Sequence, residues 1–392
     1  MRLAGPVVVR LVLSAAAIVV PLAAQPLDTN AAAIHNRAIV IDLHMDTLQR
    51  VLINHADLGK RSKQGQADLP RFREGGVGAQ VFSIWVDPMY APSRASHRAF
   101  QLIDAMYGVL NQYPDQIELA QSAADIRRIH KAGKLAALMG VEGGHAIEND
   151  LALLRTYRRL GVIYMTLTHS NSNDWADSST DAPHSGGLSP FGIEVIREMN
   201  RIGMIVDVSH TSDATVRAVL ATSSKPVIAS HSSCRTLCDH PRNLSDELMR
   251  AIAAKGGVIG INFYSMFVDQ AFKDRASNTD MLKIYNQRPQ VAPDKLDELA
   301  AARAVVPSYP ELPRPLFDRI LDHIDHAVRV AGIDHVAIGS DLDVVPTPAG
   351  LDDVSDFPKI TAGLLKRGYS EQDIDKILGG NFLRVLGEVV GR

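Results

Sequence analysis

Short apolar runs alternate with amphipathic stretches along most of the chain, and this alternation constrains the fold more than any other feature. The apolar runs have the length of buried strands, and several of the stretches between them begin and end with helix-capping residues. For example, "SPFGIEVIREMNRIG" opens with Ser189 as the cap and Pro190 in the first turn, and it ends at Gly203. The predicted strands are 39–43, 79–85, 135–141, 162–167, 204–208, 227–230, 258–262 and 335–339.

The positions of the polar residues after these strands distinguish between two possible architectures. Strands that alternate with helices are typical both of a closed (β/α)8 barrel and of a doubly wound open sheet. Reactive groups lie all round one rim of a barrel, whereas they gather at one crevice of an open sheet. Because histidines and carboxylates follow strand after strand here, we predict an α/β protein with a (β/α)8 TIM-type barrel.

One long polar segment interrupts the alternation. Residues 265–315 contain several prolines and lie between the seventh and eighth predicted strands. A loop of this length in a compact domain is usually functional or carries small helices of its own. We therefore predict a lid-like insertion over the rim of the barrel, and the alternative is a surface decoration remote from the site.

The first predicted strand ends in "IDLHMDTL", which contains Asp42, His44 and Asp46. Side chains alternate along a strand, so His44 and Asp46 project to the same side. A histidine and a carboxylate that project together can hold a metal ion. The alternative is a turn whose aspartates cap the next helix.

Four further strands end in groups of similar chemistry. Glu142 follows the third strand, and three of the 14 histidines, His169, His210 and His231, follow the next three strands. Each residue taken alone has an ordinary structural interpretation, but their joint placement favours a metal site. A ligand set of type His, Asp, Glu, His, His exceeds the needs of one tetrahedral zinc that keeps an open position. Two ions that share a bridging carboxylate fit this set better.

Eight motifs identify a family that the chain resembles. In order along the chain they are "HMD", "GVEGGH", "LTHSNSNDW", "VDVSH", "ASHSSCR", "HPRN", "INFY" and "IGSDLD". Their order and approximate spacing resemble the renal (membrane) dipeptidases, which are binuclear zinc enzymes of the amidohydrolase superfamily. The resemblance runs from about Ile39 to the end of the chain, and the long 265–315 segment departs from it.

The resemblance implies a role for each matching residue. The implied metal ligands are His44 and Asp46 for one zinc, His210 and His231 for the second zinc, and Glu142 as the bridge between them. The residues implied to act on the substrate are His169 at the scissile peptide, Arg242 at the terminal carboxylate, Tyr264 on the same wall and Asp341 as the proton shuttle.

These roles agree with elementary chemistry. A water held between two zinc ions is a strong nucleophile near neutral pH, and the Asp341 carboxylate can carry its proton to the leaving amine. The Arg242 guanidinium offers a planar fork for a carboxylate, although an ordinary salt bridge would explain that residue equally well. We expect a zinc-dependent dipeptidase that cleaves Xaa-Xaa dipeptides by attack of a metal-bridging hydroxide. The resemblance also implies tolerance of a D residue at the C-terminal side and some activity on β-lactams.

Two other functions stay open at this point. Other binuclear amidohydrolases, such as lactonases or amidases, usually carry an "HxH" motif on the first strand and a carboxylated lysine, whereas this chain has "HMD" and Glu142. A periplasmic protein that only binds metal or solute is the second alternative. Asp341 and Arg242 argue against it, because storage requires neither a proton shuttle nor a carboxylate fork.

Composition places the protein among ordinary globular chains. Of its 392 residues, 46% are hydrophobic and 22% are charged, and the formal net charge is -3. This composition can bury a large core, and the chain has no basic excess of the kind that nucleic-acid binding requires. The expected partner is the small dipeptide substrate that the family resemblance implies. The sequence does not decide the oligomeric state, for which a homodimer is one option.

The sequence pattern of the N-terminal residues predicts that the protein is exported. Residues 1–24 carry Arg2 and Arg10 ahead of an apolar run, and they end in small residues that suit cleavage near Ala24. The run is short for a membrane span, so we predict a signal peptide rather than an anchor. The rest of the chain, 25–392, is expected to be one domain without a stable membrane anchor, in a bacterial periplasm or secreted.

Cys234 and Cys238 are the only cysteines in the sequence. A disulfide that closes so short a loop would stabilise little. A zinc knuckle of both thiols with His231 and His240 is an alternative, but its four ligands are unusually crowded. Reduced or loosely paired thiols at the start of a helix are the simplest expectation.

Overall fold

The computed structural model describes residues 29–277, Lys295 and residues 312–391. Within these ranges, nine strands form one sheet in which every pairing is parallel. The strands are β1 Val40–Met45, β2 Val77–Trp85, β3 Ile117–Leu119, β4 Leu135–Glu142, β5 Val162–Thr166, β6 Ile205–Asp207, β7 Val227–Ala229, β8 Val258–Ile261 and β9 Val336–Ile338.

The sheet closes on itself into a barrel of eight strands. The neighbour order is β2-β1-β9-β8-β7-β6-β5-β4-β3, and an additional pairing of β2 with β4 completes the ring. The short strand β3 stands outside the ring and pairs with the beginning of β4, where Ile117 lies opposite Leu135. The predicted (β/α)8 barrel is confirmed, and the open sheet is excluded because no gap separates β2 from β4.

Each of the eight predicted strands overlaps a strand of the ring, but β3 was not predicted. Its three residues, "IEL", are too few to show a period, and its residues Glu118 and Leu119 are only partly buried. The strands of the ring are almost wholly buried, as expected when helices cover a parallel sheet. This burial is why their apolar runs are visible in the sequence.

Helices connect the strands round the outside of the ring. The α-helices in the described ranges are α1 Thr29–Arg37, α2 Thr47–Asn54, α3 Leu69–Glu74, α4 Ala95–Gln112, α5 Ala123–Lys131, α6 Leu151–Arg159, α7 Pro190–Ile202, α8 Asp213–Thr222, α9 Asp246–Ala254, α10 Ser265–Val268, α11 Gln270–Ala276, α12 Asp318–Ala331, α13 Pro358–Lys366, α14 Glu371–Asp375 and α15 Asn381–Val389.

The capping residues read from the sequence act as predicted in α7. The Ser189 side chain accepts a hydrogen bond from the Gly192 N–H, and Pro190 occupies the first turn. Gly203 ends the helix with a φ of 67°, a left-handed conformation that glycine adopts without steric cost. Local sequence therefore sets both ends of this helix.

Only the two ends of the predicted insertion lie in the described ranges. Its beginning forms α10 and α11, and residues 312–315 lead towards α12. The remainder of 265–315, apart from Lys295, falls outside the described residues, as does the predicted signal peptide 1–24. Neither prediction is tested by the structure. In the described ranges, no helix has both the length and the apolar character needed to cross a membrane.

The two cysteines lie in a turn after β7 and not at the start of a helix, so that part of the expectation is wrong. Both thiols are free and buried. Cys234 Sγ donates to the His323 carbonyl at 3.3 Å, and Cys238 Sγ donates to the Met266 carbonyl at 3.3 Å. Each thiol points to a backbone oxygen rather than into a shared ligand set, which argues against the zinc knuckle.

Candidate metal centre

The five residues proposed as metal ligands meet at the carboxyl ends of the barrel strands. The side chains come from β1, β4 and the residues one to three positions after β1, β6 and β7, and none is more than 9% exposed. We call them the ligand cluster: His44, Asp46, Glu142, His210 and His231. Residues far apart in sequence meet here because parallel strands end at the same rim.

Glu142 lies between two groups of donors. Its Oε2 is 3.3 Å from His44 Nε2, which in turn is 3.7 Å from Asp46 Oδ2. Its Oε1 is 2.9 Å from His210 Nε2 and 3.3 Å from His231 Nε2. Each carboxylate oxygen thus faces a different set of nitrogen ligands, which is the arrangement that a bridging carboxylate requires.

The chemistry of the cluster fits cations. The Nε2 atoms of His210 and His231 face each other at 2.9 Å, and His44 Nε2 and Asp46 Oδ1 are buried without a hydrogen-bond partner among the described residues. Burial alone lowers the pKa of His44, but the charges of Glu142 and Asp46 raise it to about 10. Burying such a negatively charged group of side chains raises the free energy of the folded protein unless a cation binds to it. The residues present therefore fit metal ions.

Two buried aspartates hold the strand ends but are not part of the cluster. Asp42 accepts hydrogen bonds from Ser340 N at 2.7 Å and Ser340 Oγ at 2.6 Å, and its burial raises its pKa to about 6. Asp207 accepts from Ser230 N at 2.9 Å and Ser230 Oγ at 2.5 Å. Asp42, whose role the sequence left open, therefore ties the middle of β1 to the residues that follow β9.

Asp341 follows β9 and lies against the cluster. Its φ of 63° is left-handed, and its Oδ2 accepts a hydrogen bond from Asn262 Nδ2 at 2.8 Å. One of its oxygens lies within 4.8 Å of ligand atoms of His44 and His231. Burial raises the pKa of Asp341 to about 6, although the charge of His44 opposes the shift. A carboxyl group in this position can both take up and release a proton near neutral pH.

His169 lies on the other side of Glu142. Its Nε2 is 3.7 Å from Glu142 Oε1, and its ring centroid is 5.5 Å from that of Trp85. Burial lowers the pKa of His169, so its imidazole is neutral at pH 7. A neutral imidazole can donate one hydrogen bond to a substrate, and it carries no positive charge that would repel a nearby metal ion.

Arg242 lies close to the ligand cluster, and only one of its two terminal nitrogens is used in a hydrogen bond with the described residues. Its Nη2 donates to the His231 carbonyl at 3.1 Å, whereas its Nη1 is buried without a partner in the described ranges. Burial lowers the pKa of Arg242 to about 10, so the side chain stays charged at pH 7. A buried cation with an unused donor is a ready site for a carboxylate.

An aromatic residue that the sequence reasoning did not single out completes this surface. The Phe267 ring lies 5.4 Å below the guanidinium carbon of Arg242 and 4.7 Å from the Tyr264 ring. Arg242, Tyr264 and Phe267 together are called the Arg242 wall below. The predicted neighbours Arg242 and Tyr264 are thus brought together, but through a ring that belongs to α10.

Comparison with known proteins decides the family. Residues 28–391 match the family of membrane dipeptidases, peptidase family M19. The chain belongs to this family. The dipeptidase verJ of Clonostachys rogersoniana is 37% identical over 337 residues, which cover 82% of this chain and 75% of that protein.

Solved structures agree with this assignment. The probable dipeptidase PvdM from Pseudomonas aeruginosa is 29% identical and has a TM-score of 0.78, with 92% of this chain and 98% of that chain covered. A metallopeptidase of family M19, the dipeptidase AC, is 24% identical with a TM-score of 0.75 and covers 91% of this chain and 99% of its own. At 24% identity, the similarity to dipeptidase AC shows only that the two chains share a fold.

Membership of the M19 family makes the protein a metallo-dipeptidase. The predicted family, fold and enzyme class are confirmed. The sequence reasoning did not single out Asp207 or Phe267, and it noted Asp42 without deciding its role, because the signals of these residues are ordinary ones. Asp42 and Asp207 precede a histidine by two or three residues at a strand end, and Phe267 follows "INFY" by three residues, but neither pattern by itself indicates a site.

Proposed function

We propose that the protein is an exported dipeptidase that depends on two zinc ions and hydrolyses Xaa-Xaa dipeptides with a free C-terminus. The observation that carries the proposal is the position of Glu142, whose two oxygens face different nitrogen ligands at 3.3 Å and 2.9 Å. In this proposal His44 and Asp46 would hold one ion, His210 and His231 would hold the other, and Glu142 would be a ligand of both. His and carboxylate ligands are the set that zinc prefers.

When bound, the two ions would polarise the scissile carbonyl and lower the pKa of a water so that it can attack near neutral pH. The protein's own side chains transfer the proton and stabilise the developing negative charge. Asp341 accepts the proton of the attacking water and delivers it to the leaving amine, because its raised pKa of about 6 suits both tasks. His169 donates a hydrogen bond to the oxygen on which negative charge develops.

The Arg242 wall determines which peptides fit. The unused Nη1 of Arg242 is proposed to bind the terminal carboxylate of the substrate, and Tyr264 lies on the same wall. Every peptide with a free C-terminus presents a carboxylate one residue beyond its last peptide bond, so the wall selects substrates with a free C-terminus over blocked ones. A charge-assisted contact of this kind contributes about 1.5 to 3 kcal/mol.

Metal analysis combined with a substrate panel tests this proposal. The purified full chain should contain about two zinc ions, lose activity to a chelator and regain it with added zinc. Free dipeptides should be cleaved, including those with a D residue at the C-terminal side, and a β-lactam should be opened more slowly. Activity on lactones or blocked amides in preference to dipeptides would contradict the substrate assignment.

Export is a separate part of the proposal. It rests on residues 1–24, in which two arginines precede an apolar run that ends in small residues. N-terminal sequencing of the protein recovered from a secreting host should find a new terminus near Ala24. Retention of an intact N-terminus in the cytoplasm would refute export without affecting the catalytic proposal.

A further inference from the structure

Tyr164 on β5 is fully buried and contacts the ligand cluster from within the barrel. Its hydroxyl lies 2.8 Å from His44 Nδ1 and donates to the Leu43 carbonyl at 2.8 Å. A backbone carbonyl can only accept, so the tyrosine proton is committed to Leu43. The remaining lone pairs of the hydroxyl must then accept the Nδ1–H of His44. When the imidazole is neutral, as a metal ligand must be, this leaves its lone pair on Nε2, the atom that faces Glu142 and Asp46.

The barrel is shaped to admit this side chain. Gly140 on β4 lies directly opposite Tyr164 in the parallel ladder. A Cβ atom at Gly140 would overlap the Tyr164 ring and lie 2.7 Å from its hydroxyl. Only glycine therefore leaves room for the ring, which places the hydroxyl within reach of a residue 120 positions away.

The other group of ligands has a different support. His231 Nδ1 lies 2.7 Å from Ser230 Oγ, and that hydroxyl donates to Asp207 Oδ2 at 2.5 Å. By the same reasoning, Ser230 accepts the Nδ1–H of His231 and leaves Nε2 for a ligand bond. His44 and His231 thus depend on different hydroxyl groups for their tautomer and orientation.

We propose that Tyr164 is a positioning residue that orients His44 and thereby sets the affinity of one of the two metal ions. The inference rests on the proposed two-ion centre. Partners of the second imidazole nitrogen typically change metal affinity by about 10- to 100-fold. Ser230 has the corresponding role for the ion held by His210 and His231. A tyrosine that merely fills space would not affect one ion selectively.

Tyr164→Phe tests the proposal because it removes only the hydroxyl. Zinc affinities of the full chain are measured by competition with a chelator, and cobalt absorption spectra report each site separately. We expect one affinity to fall by about 10- to 100-fold while the other changes by less than about threefold. Ser230→Ala should weaken the opposite ion. Unchanged affinities, or an equal fall in both, would overturn the proposal.

Tyr157→Phe is the matched control. Tyr157 is also fully buried, and its hydroxyl donates to the Ala146 carbonyl at 2.7 Å. The variant loses an equivalent buried hydroxyl, yet both zinc affinities should stay at the wild-type values. If the wild-type chain itself binds fewer than two ions, the proposed function fails and not the role of Tyr164.

A second measurement needs no variant. Nitrogen-15 NMR of labelled histidines in the zinc-loaded wild type should show Nδ1 of His44 protonated and Nε2 bound to metal. Coordination through Nδ1, or a proton on Nε2, would overturn the proposal even if Tyr164→Phe does not fold.

Discussion

The ligand cluster and the Arg242 wall are neighbours, but they are built in different ways. His44 and Glu142 belong to strands, and His210 and His231 follow strands by two or three residues. Arg242 lies in a turn beyond β7, and Phe267 lies on the short helix α10. The backbone ladder of the barrel therefore holds the first region, whereas side-chain contacts hold the second.

This difference suggests a division of labour. Sites built on regular elements are more precise than sites on loops, and a metal centre needs that precision. Loops tolerate change, so a wall built from them can adjust the choice of substrate. We therefore expect substitutions in the cluster to abolish the reaction and substitutions in the wall to reduce it by degrees.

The largest effect is expected for Glu142→Gln. A neutral amide is a poor bridge between two cations, so bound zinc should fall below about two ions per chain and activity should be lost. Metal analysis and a dipeptide assay measure both. Glu148→Gln, which changes a nearby carboxylate outside the cluster, is the control and should retain both properties. Full metal content with full activity in Glu142→Gln would show that the cluster is not binuclear.

Asp341→Asn should separate chemistry from metal binding. We expect turnover to fall by roughly 100-fold or more, the usual scale for loss of a general acid or base. The fold and the zinc content should stay unchanged, as circular dichroism and metal analysis would show. If zinc is lost in step with activity, Asp341 is a ligand and belongs to the cluster.

Arg242→Ala is the corresponding test of the wall. A charge-assisted contact of about 1.5 to 3 kcal/mol predicts a fall in kcat/KM of at least about tenfold for a free dipeptide. A C-terminally amidated analogue, which the wild type should cleave poorly, should be almost unaffected.

Arg235→Ala is the matched control for that variant. Arg235 lies in the same segment but forms an ion pair with Asp213 at 2.7 Å, so kcat/KM should stay near the wild-type value. If the wild type cleaves amidated and free dipeptides equally well, the wall does not bind a carboxylate.

Phe267→Leu should give the smallest effect. The ring lies 5.4 Å from the guanidinium of Arg242, and a cation–π contact contributes about 0.5 to 2 kcal/mol. We expect KM to rise by about threefold or more with kcat nearly unchanged. Phe272→Leu removes a ring from the same apolar cluster and should leave KM unaltered. A fall in kcat without a change in KM would place Phe267 with the catalytic groups instead.

Much of the barrel could be predicted from the sequence, because its strands are buried runs and its helices carry local caps. Because these signals are local, strand β3 could not be predicted from them. Strand β3 has three residues, and its pairing with β4 depends on tertiary contact rather than on its own pattern. The thiols of Cys234 and Cys238 were placed on a helix for the same reason, since the turn that holds them is set by distant partners.

By itself, the sequence determined the family, the barrel and the residue types at the strand ends, since these depend on motifs and on periods of a few residues. The tertiary structure decided how those residues are supported. Tyr164 reaches His44 across 120 positions, and the Phe267 ring lies against Arg242 from a separate helix. No local pattern encodes such contacts, because they exist only when closure of the barrel brings strands from opposite parts of the chain together.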